Sequence, residues 1–284
     1  MGFLSFAAIG RNAERNMHWA YVYKPTVPAH GTAGFFIDLN QSSGTPKYNP
    51  FSGSALTATA LVGEGNLGVY AGNFLPGRSK HLLSCQFLQL TSTNGPPDYV
   101  YVLDYLMFYS LIDTDDPGEQ VLDNPITLPR YNDGRVVLIV QSPLASTAPM
   151  TLNYTNQDGV AGRTVTANII PGGAIGVVAS GTGTGAGGAG QATPFFPLAD
   201  GDSGVRSIES VTMASSGGGF VCAAIVKPLA TVPIYEASVP TEKNHAIFGQ
   251  YPPEVKEGAC LNFVIQRGGT ATGAYRGEML FVNS

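Results

Sequence analysis

Apolar and polar residues along this chain alternate with a period of two far more than they recur at helical spacing. Met150, Leu152 and Tyr154 alternate with Thr151, Asn153 and Thr155, and Val165, Ala167 and Ile169 alternate with Thr164, Thr166 and Asn168. Successive side chains of a strand point to opposite faces, so each run predicts a strand with one face buried. Between them lies NQDGVAG, whose Asn, Asp and Gly residues favour a tight turn. The runs 150–156 and 163–170 are therefore expected to form a hairpin.

Other runs are apolar on both faces. HLLSCQFLQLT (81–91) and RVVLIVQS (135–142) predict strands covered on both sides. YVYVLDYLMFYSLI (99–112) is rich in Tyr and Val, which favours a long strand over a helix. Further strands are expected at 34–39, 56–65, 66–72, 174–180, 194–199, 205–214, 218–230, 260–266 and 275–283, with 56–65 and 66–72 joined as a hairpin around Gly63 to Asn66. The best helix candidate runs from Ser5 to His18. Strands spaced by roughly 10–15 residues with turns between them predict an all-β chain, a jelly-roll-like antiparallel β-sandwich. Residues 1–80 read as a loop-rich N-terminal extension or arm and 81–284 as the sandwich core, with one continuous domain as the alternative.

Composition sharpens this picture. Of 284 residues only 12% are charged, about half the usual ~25%, while 44% are hydrophobic. So few charges suggest a surface partly covered by neighbours in an assembly. The formal charge is −5 and the 15 basic residues are scattered, which disfavours a phosphate-tracking nucleic-acid site. Cys85, Cys222 and Cys260 lie far apart in apolar runs, as expected of buried free thiols. No uninterrupted apolar run reaches the ~18 residues of a membrane span, and the first residues lack the basic start of a secretory signal. The chain is expected to be soluble and made in a cytoplasm. The Gly-rich stretch 181–193 lacks the G-K-[ST] ending of a phosphate loop and reads as a flexible loop.

Candidate chemistry centres on Gly201-Asp202-Ser203-Gly204, which resembles the nucleophile segment of chymotrypsin-type proteases. A His, Asp, Ser order can be written with His81, Asp104 and Ser203. Val205 and Arg206 follow where that family carries Gly and usually Pro, and RSKHLLS does not resemble its histidine segment. The tetrapeptide is also good turn chemistry, and a turn is the expectation here. Asp113, Asp115, Asp116 and Glu119 in DTDDPGE form a candidate calcium loop that lacks the full EF-hand frame, against a solvated loop as the plainer reading. His18, His30, His81 and His245 show no metal-ligand spacing. Asp104, Glu209 and Glu278 are the carboxylates that fall in strands, and nothing in the sequence pairs them for glycoside hydrolysis.

Several phrases in order resemble a family of virion structural proteins of tailed bacteriophages: NLGVYAGN (66–73), LDYLMFYSLIDTDD (103–116), NPITLPRYNDG (124–134), LNYTNQDGVAGR (152–163), PFFPLADGDSGVRSIESV (194–211) and CAAIVKPLATVPI (222–234). The resemblance covers roughly residues 60–284 and brings no catalytic residues. It implies a non-enzymatic particle component without cofactor, placed in the virion as a head decoration or cement protein. Its implied partners are the major capsid protein and copies of itself, a trimer foremost, with no direct contact to nucleic acid or membrane. The family pattern Gly-Asp-x-Gly-Val-Arg leaves Ser203 free to vary. It makes Asp200, Gly201, Asp202, Gly204 and Arg206 the structural residues of the turn, with Arg206 expected to pair with Asp202 or Asp200 or to reach a neighbour. A tail, collar or adaptor component, a receptor- or glycan-binding module using exposed aromatics, and a chymotrypsin-like protease stand as the alternatives.

Overall fold

The computed structural model describes residues 17–28, 33–63, 67–91, 97–181, 191–245 and 251–283. These fold into three antiparallel sheets with no α-helix among the described residues. The central sheet runs β2 (Phe36–Asp38), β14 (Leu261–Gln266), β5 (Asp98–Asp113), β11 (Phe220–Ile234), β7 (Arg135–Ser142), with β3 (Thr59–Ala60) added to β5. A four-stranded sheet runs β6 (Glu119–Val121), β10 (Val205–Met213), β8 (Ala148–Asn156), β9 (Arg163–Ile169). The last sheet runs β1 (Met17–Val27), β15 (Gly273–Asn283), β4 (Lys80–Gln89), β12 (Thr241–Asn244), with β13 (Glu254–Val255) also on β4.

Alternation along the long central strands decides the layering. Val100 and Val102 of β5 pack with Leu82, Phe87 and Phe281 of the β1/β15/β4 sheet. Leu106, on the same side two pleats further on, packs with Leu152, Tyr154 and Ile208 of the β10/β8 sheet. The two flanking sheets thus share one side of the central sheet, in the sheet-on-sheet packing of a sandwich. Leu103 and Tyr105 point the other way, into a third cluster with Phe36, Ile139, Cys222 and Val264. That side is enclosed by the sheet itself. Residues 176–179 bond to β2 through Asp38 N to Gly176 O (2.8 Å) and Val178 N to Phe36 O (2.9 Å). They bond to β7 through Val140 N to Val177 O (2.9 Å) and Ala179 N to Leu138 O (2.8 Å). Both edges of the sheet are joined through this short segment, so neither is left open along that line.

The predicted hairpin forms as β8 and β9, with Leu152 opposite Val165. The long aromatic run is β5, and all three cysteines are buried and unbridged. Several expectations need correction. Residues 56–65 and 66–72 do not pair with each other: Thr59 and Ala60 pair with Phe108 and Met107, and Val69 bridges to Leu261. Residues 194–199 form no strand, because Pro194 and Pro197 each remove a backbone donor. Phe195 and Phe196 are buried there instead, and Phe196 N donates to Val136 O at 2.8 Å. Residues 174–180 make only isolated bridges, Ile37 to Val177 and Ile139 to Val178. Of the helix expected from Ser5 to His18, only Met17 and His18 are described, and they begin β1. Most of the Gly-rich stretch also lies outside the described residues.

Candidate functional site

The Gly-Asp-Ser-Gly segment is a turn seated on the β8/β9 hairpin. Gly201 takes a positive φ of +86°, where a side chain would strain the backbone. The Asp202 carboxylate gathers three side-chain donors: Tyr154 Oη at 2.6 Å, Asn156 Nδ2 at 2.8 Å and Arg163 Nε at 2.9 Å. Tyr154 and Asn156 end β8 and Arg163 begins β9, so one carboxylate ties the turn to both strands. These hydrogen bonds, that of Arg163 foremost, hold Asp202 down at about 2. The N–H groups of Ser203 and Gly204 both donate to Gln157 Oε1, at 3.0 and 3.1 Å. An oxyanion hole needs such amides open towards a substrate; here a glutamine side chain occupies them.

The arginine that fastens this turn is Arg163, which also donates to Asp200 O at 3.1 Å. Arg206, expected to pair with Asp202 or Asp200, donates its Nε to Gln157 O at 2.9 Å. It still secures the hairpin turn, through a backbone carbonyl instead of a carboxylate. Gly204 is required by close approach, since a Cβ there would lie 2.5 Å from Asp133 Cα.

That contact joins the turn to the phrase LPRYNDG. Val205 N donates to Gly134 O at 2.7 Å. Arg130, with φ +67°, reaches down to Asp104 on β5. Its Nε and Nη2 meet both carboxylate oxygens at 3.1 and 2.8 Å, and its remaining donors meet Leu61 O (2.9 Å) and Tyr105 O (2.8 Å). Cys260 N donates to Asp104 Oδ1 at 2.9 Å. Burial pushes the Asp104 carboxyl up and the Arg130 charge opposes this. Tyr131 Oη donates to Glu254 O at 2.9 Å, and Asp133 pairs with Lys227.

The triad residues are spread over two sheets and a turn. His81 lies on β4 with Nδ1 3.1 Å from Pro252 O, Asp104 is held by Arg130, and Ser203 is exposed on its turn. The three strand carboxylates separate likewise: Glu209 accepts from Thr155 and Ser207, each at 2.7 Å, and Glu278 lies 3.5 Å from Arg276. In the candidate calcium loop, Asp113 accepts from Asp115 N (2.9 Å), Asp116 from Gly118 N (2.8 Å), and Asp115 from Ser216 Oγ and Gly218 N (3.0 Å). Glu119 is exposed at the start of β6. Among the described residues no three His, Cys, Asp or Glu side chains group as a metal site.

Two features went unread in the sequence. One is a buried polar cluster. Lys24 Nζ donates to Ser42 O (3.0 Å) and Pro46 O (2.7 Å), and burial lowers it to about 8. Asp38 accepts from Tyr105 Oη at 2.7 Å and burial raises it to about 6. The other is the outer strand β1, where Trp19, Tyr21 and Tyr23 are 50%, 60% and 49% exposed on one face. Their alternation in HWAYVY was the available signal, passed over because the expected helix stops at His18 and the rest of this stretch reads as part of a loop-rich extension. A cleft of about 230 Å³ lies beside them, lined by His18, Tyr21, Lys47 and Tyr70 among others.

No family model matches the chain, and no curated protein matches it either. Among solved structures, it is similar to T=1 particles derived from infectious bursal virus, at 11% identity and a TM-score of 0.21, covering 94% of this chain and 78% of that one. It is similar at 10% identity and the same TM-score to the VP2 subviral particle of infectious bursal disease virus, covering 94% and 80%. Likenesses at that TM-score carry no weight for fold or function.

Proposed function

We propose that this chain is a non-enzymatic structural component of a tailed-bacteriophage particle, a decoration or cement protein of the head. Its partners in this reading are the major capsid protein and further copies of itself, and no cofactor takes part.

The observation that supports this reading is the use to which the ordered phrases are put. LPRYNDG supplies Arg130, which clasps Asp104, and Gly134, which bridges to Val205. LNYTNQDGVAGR supplies Tyr154, Asn156 and Arg163, which hold Asp202 of the Gly-Asp-Ser-Gly turn. The Ser203 and Gly204 amides and the Asp104 and Asp202 carboxylates, which a hydrolase would direct at a substrate or a base, are bonded to the fold itself. A low charge fraction and half-exposed aromatics suit a protein stabilised by subunit contacts.

The test is reconstitution. Heads lacking this protein should bind the purified chain and regain resistance to heat. A copy number matching the shell lattice supports decoration; one matching a single ring at the neck or tail supports the collar or adaptor alternative.

A further inference from the structure

Among the described residues, the edge of β1 from Met17 to Tyr21 is an unguarded pairing surface. β1 is the outermost strand of its sheet, and its register with β15 is unbroken from Met17 to Lys24. Tyr23 exchanges both backbone hydrogen bonds with Thr45, at 3.0 and 2.8 Å, on the side away from β15. Alternate residues of an antiparallel ladder turn their N–H and C=O to the same side. Met17, Trp19 and Tyr21 therefore turn theirs to that same open side, where they meet no backbone partner among the described residues. Edge strands are ordinarily blunted by charge, proline or a bulge. Met17–Tyr21 carries none of these.

We propose that this edge pairs antiparallel with the same edge of a second copy, about a twofold axis at Trp19, joining two sheets into one. The register follows from Thr45, which closes the edge at Tyr23 and leaves Met17–Tyr21 open. Centred on Trp19, that segment is complementary to itself. Trp19 meets Trp19 of the second copy and Tyr21 meets Met17, so every outward donor finds an acceptor. The stretch is uncharged, so it offers an acidic or basic partner nothing, whereas an identical neutral edge completes it. Half an aromatic side chain is on the order of 100 Å². The four such rings in the paired segments, Trp19 and Tyr21 of each copy, offer about 400 Å², to which the paired backbones add, the size of a weak association below the ~1,000 Å² of a standard interface. The cleft lined by Tyr21, Lys47 and Tyr70 opens beside the edge. The twofold arrangement differs from the trimer expected from the sequence, and it stands independently of the particle reading.

Sedimentation velocity of the full chain over a dilution series tests this. The unaltered protein should show a monomer–dimer equilibrium. Trp19→Lys and Trp19→Glu should each weaken it at least tenfold, because the axis sets like charges face to face. Mixing the two variants should restore the dimer. Tyr21→Pro removes an outward N–H without touching the β15 ladder, and should also dissociate it. Should a charge variant fail to fold, hydrogen exchange at the Trp19 and Tyr21 amides decides: protection must rise with concentration. A monomer at every concentration, a dimer or trimer indifferent to these variants, or a mixture that stays monomeric overturns the proposal.

Discussion

Arg130 reaches both oxygens of the Asp104 carboxylate, at 3.1 and 2.8 Å, with side chains only 8% and 0% exposed. Asp104 sits between Val102 and Leu106, at the seam where the two flanking sheets meet on the central one. The pair is thus a clasp at the junction of all three sheets. Removing one partner of a buried pair leaves an uncompensated charge and typically costs about 3–5 kcal/mol. Arg130→Met should destabilise the chain by about that much in urea denaturation. Adding Asp104→Leu should recover part of the loss, since both charges are then gone.

Ser203 and Asp202 should behave oppositely. Ser203→Ala alters an exposed hydroxyl and should leave the melting temperature unchanged, with no peptidase activity before or after. Asp202→Ala strands three donors, on Tyr154, Asn156 and Arg163, and should lower the melting temperature clearly. Gly204→Ala should do the same, because its Cβ would enter the Asp133 backbone. Scanning calorimetry of the three variants separates a structural turn from a nucleophile.

Asp38 should leave a signature in the pH dependence of stability. Burial raises it from 3.8 to about 6, so the folded chain holds a proton there that the unfolded chain has released. Its contribution is complete below about 3.8 and is lost as pH climbs to about 6, a fall of about 3 kcal/mol. Lys24, lowered to about 8, is opposite in sign, and its effect should make stability rise from about pH 8 towards 10.5. Denaturation midpoints of Asp38→Asn should lack the fall between pH 4 and 6 that the unaltered chain shows.

The cysteines should be silent in the native state. All three are buried, and burial pushes Cys85 and Cys260 up to about 12. A thiol-specific reagent should label none in buffer and all in denaturant; labelling of Cys222 under native conditions would show that the central cluster opens.

What the sequence revealed follows from the reach of its signals. Period-two patterning is local, so the β8/β9 hairpin and the long β5 were legible residue by residue. The closure of the central sheet through residues 176–179 was not, because a two-residue bridge leaves no periodicity. The turn at Asp202 was recognisable from its Asp and Gly residues, but its fastener was not. Arg206 is near in sequence, whereas Arg163 is brought close by the hairpin returning to the turn. Asp104 looked like a stray acid in an aromatic strand until the fold delivered Arg130 from the next phrase. The edge of β1 was missed because residues 1–80 read as a loop-rich extension, so no strand was expected at Met17–Val27.

The most direct measurement of the proposed role is a high-resolution map of a phage particle that carries this chain, with its copy number. Decoration of the head predicts the chain on the outer shell, repeated with the capsid lattice and touching the major capsid protein. Its absence from purified particles, or its confinement to the neck or tail, would contradict that role.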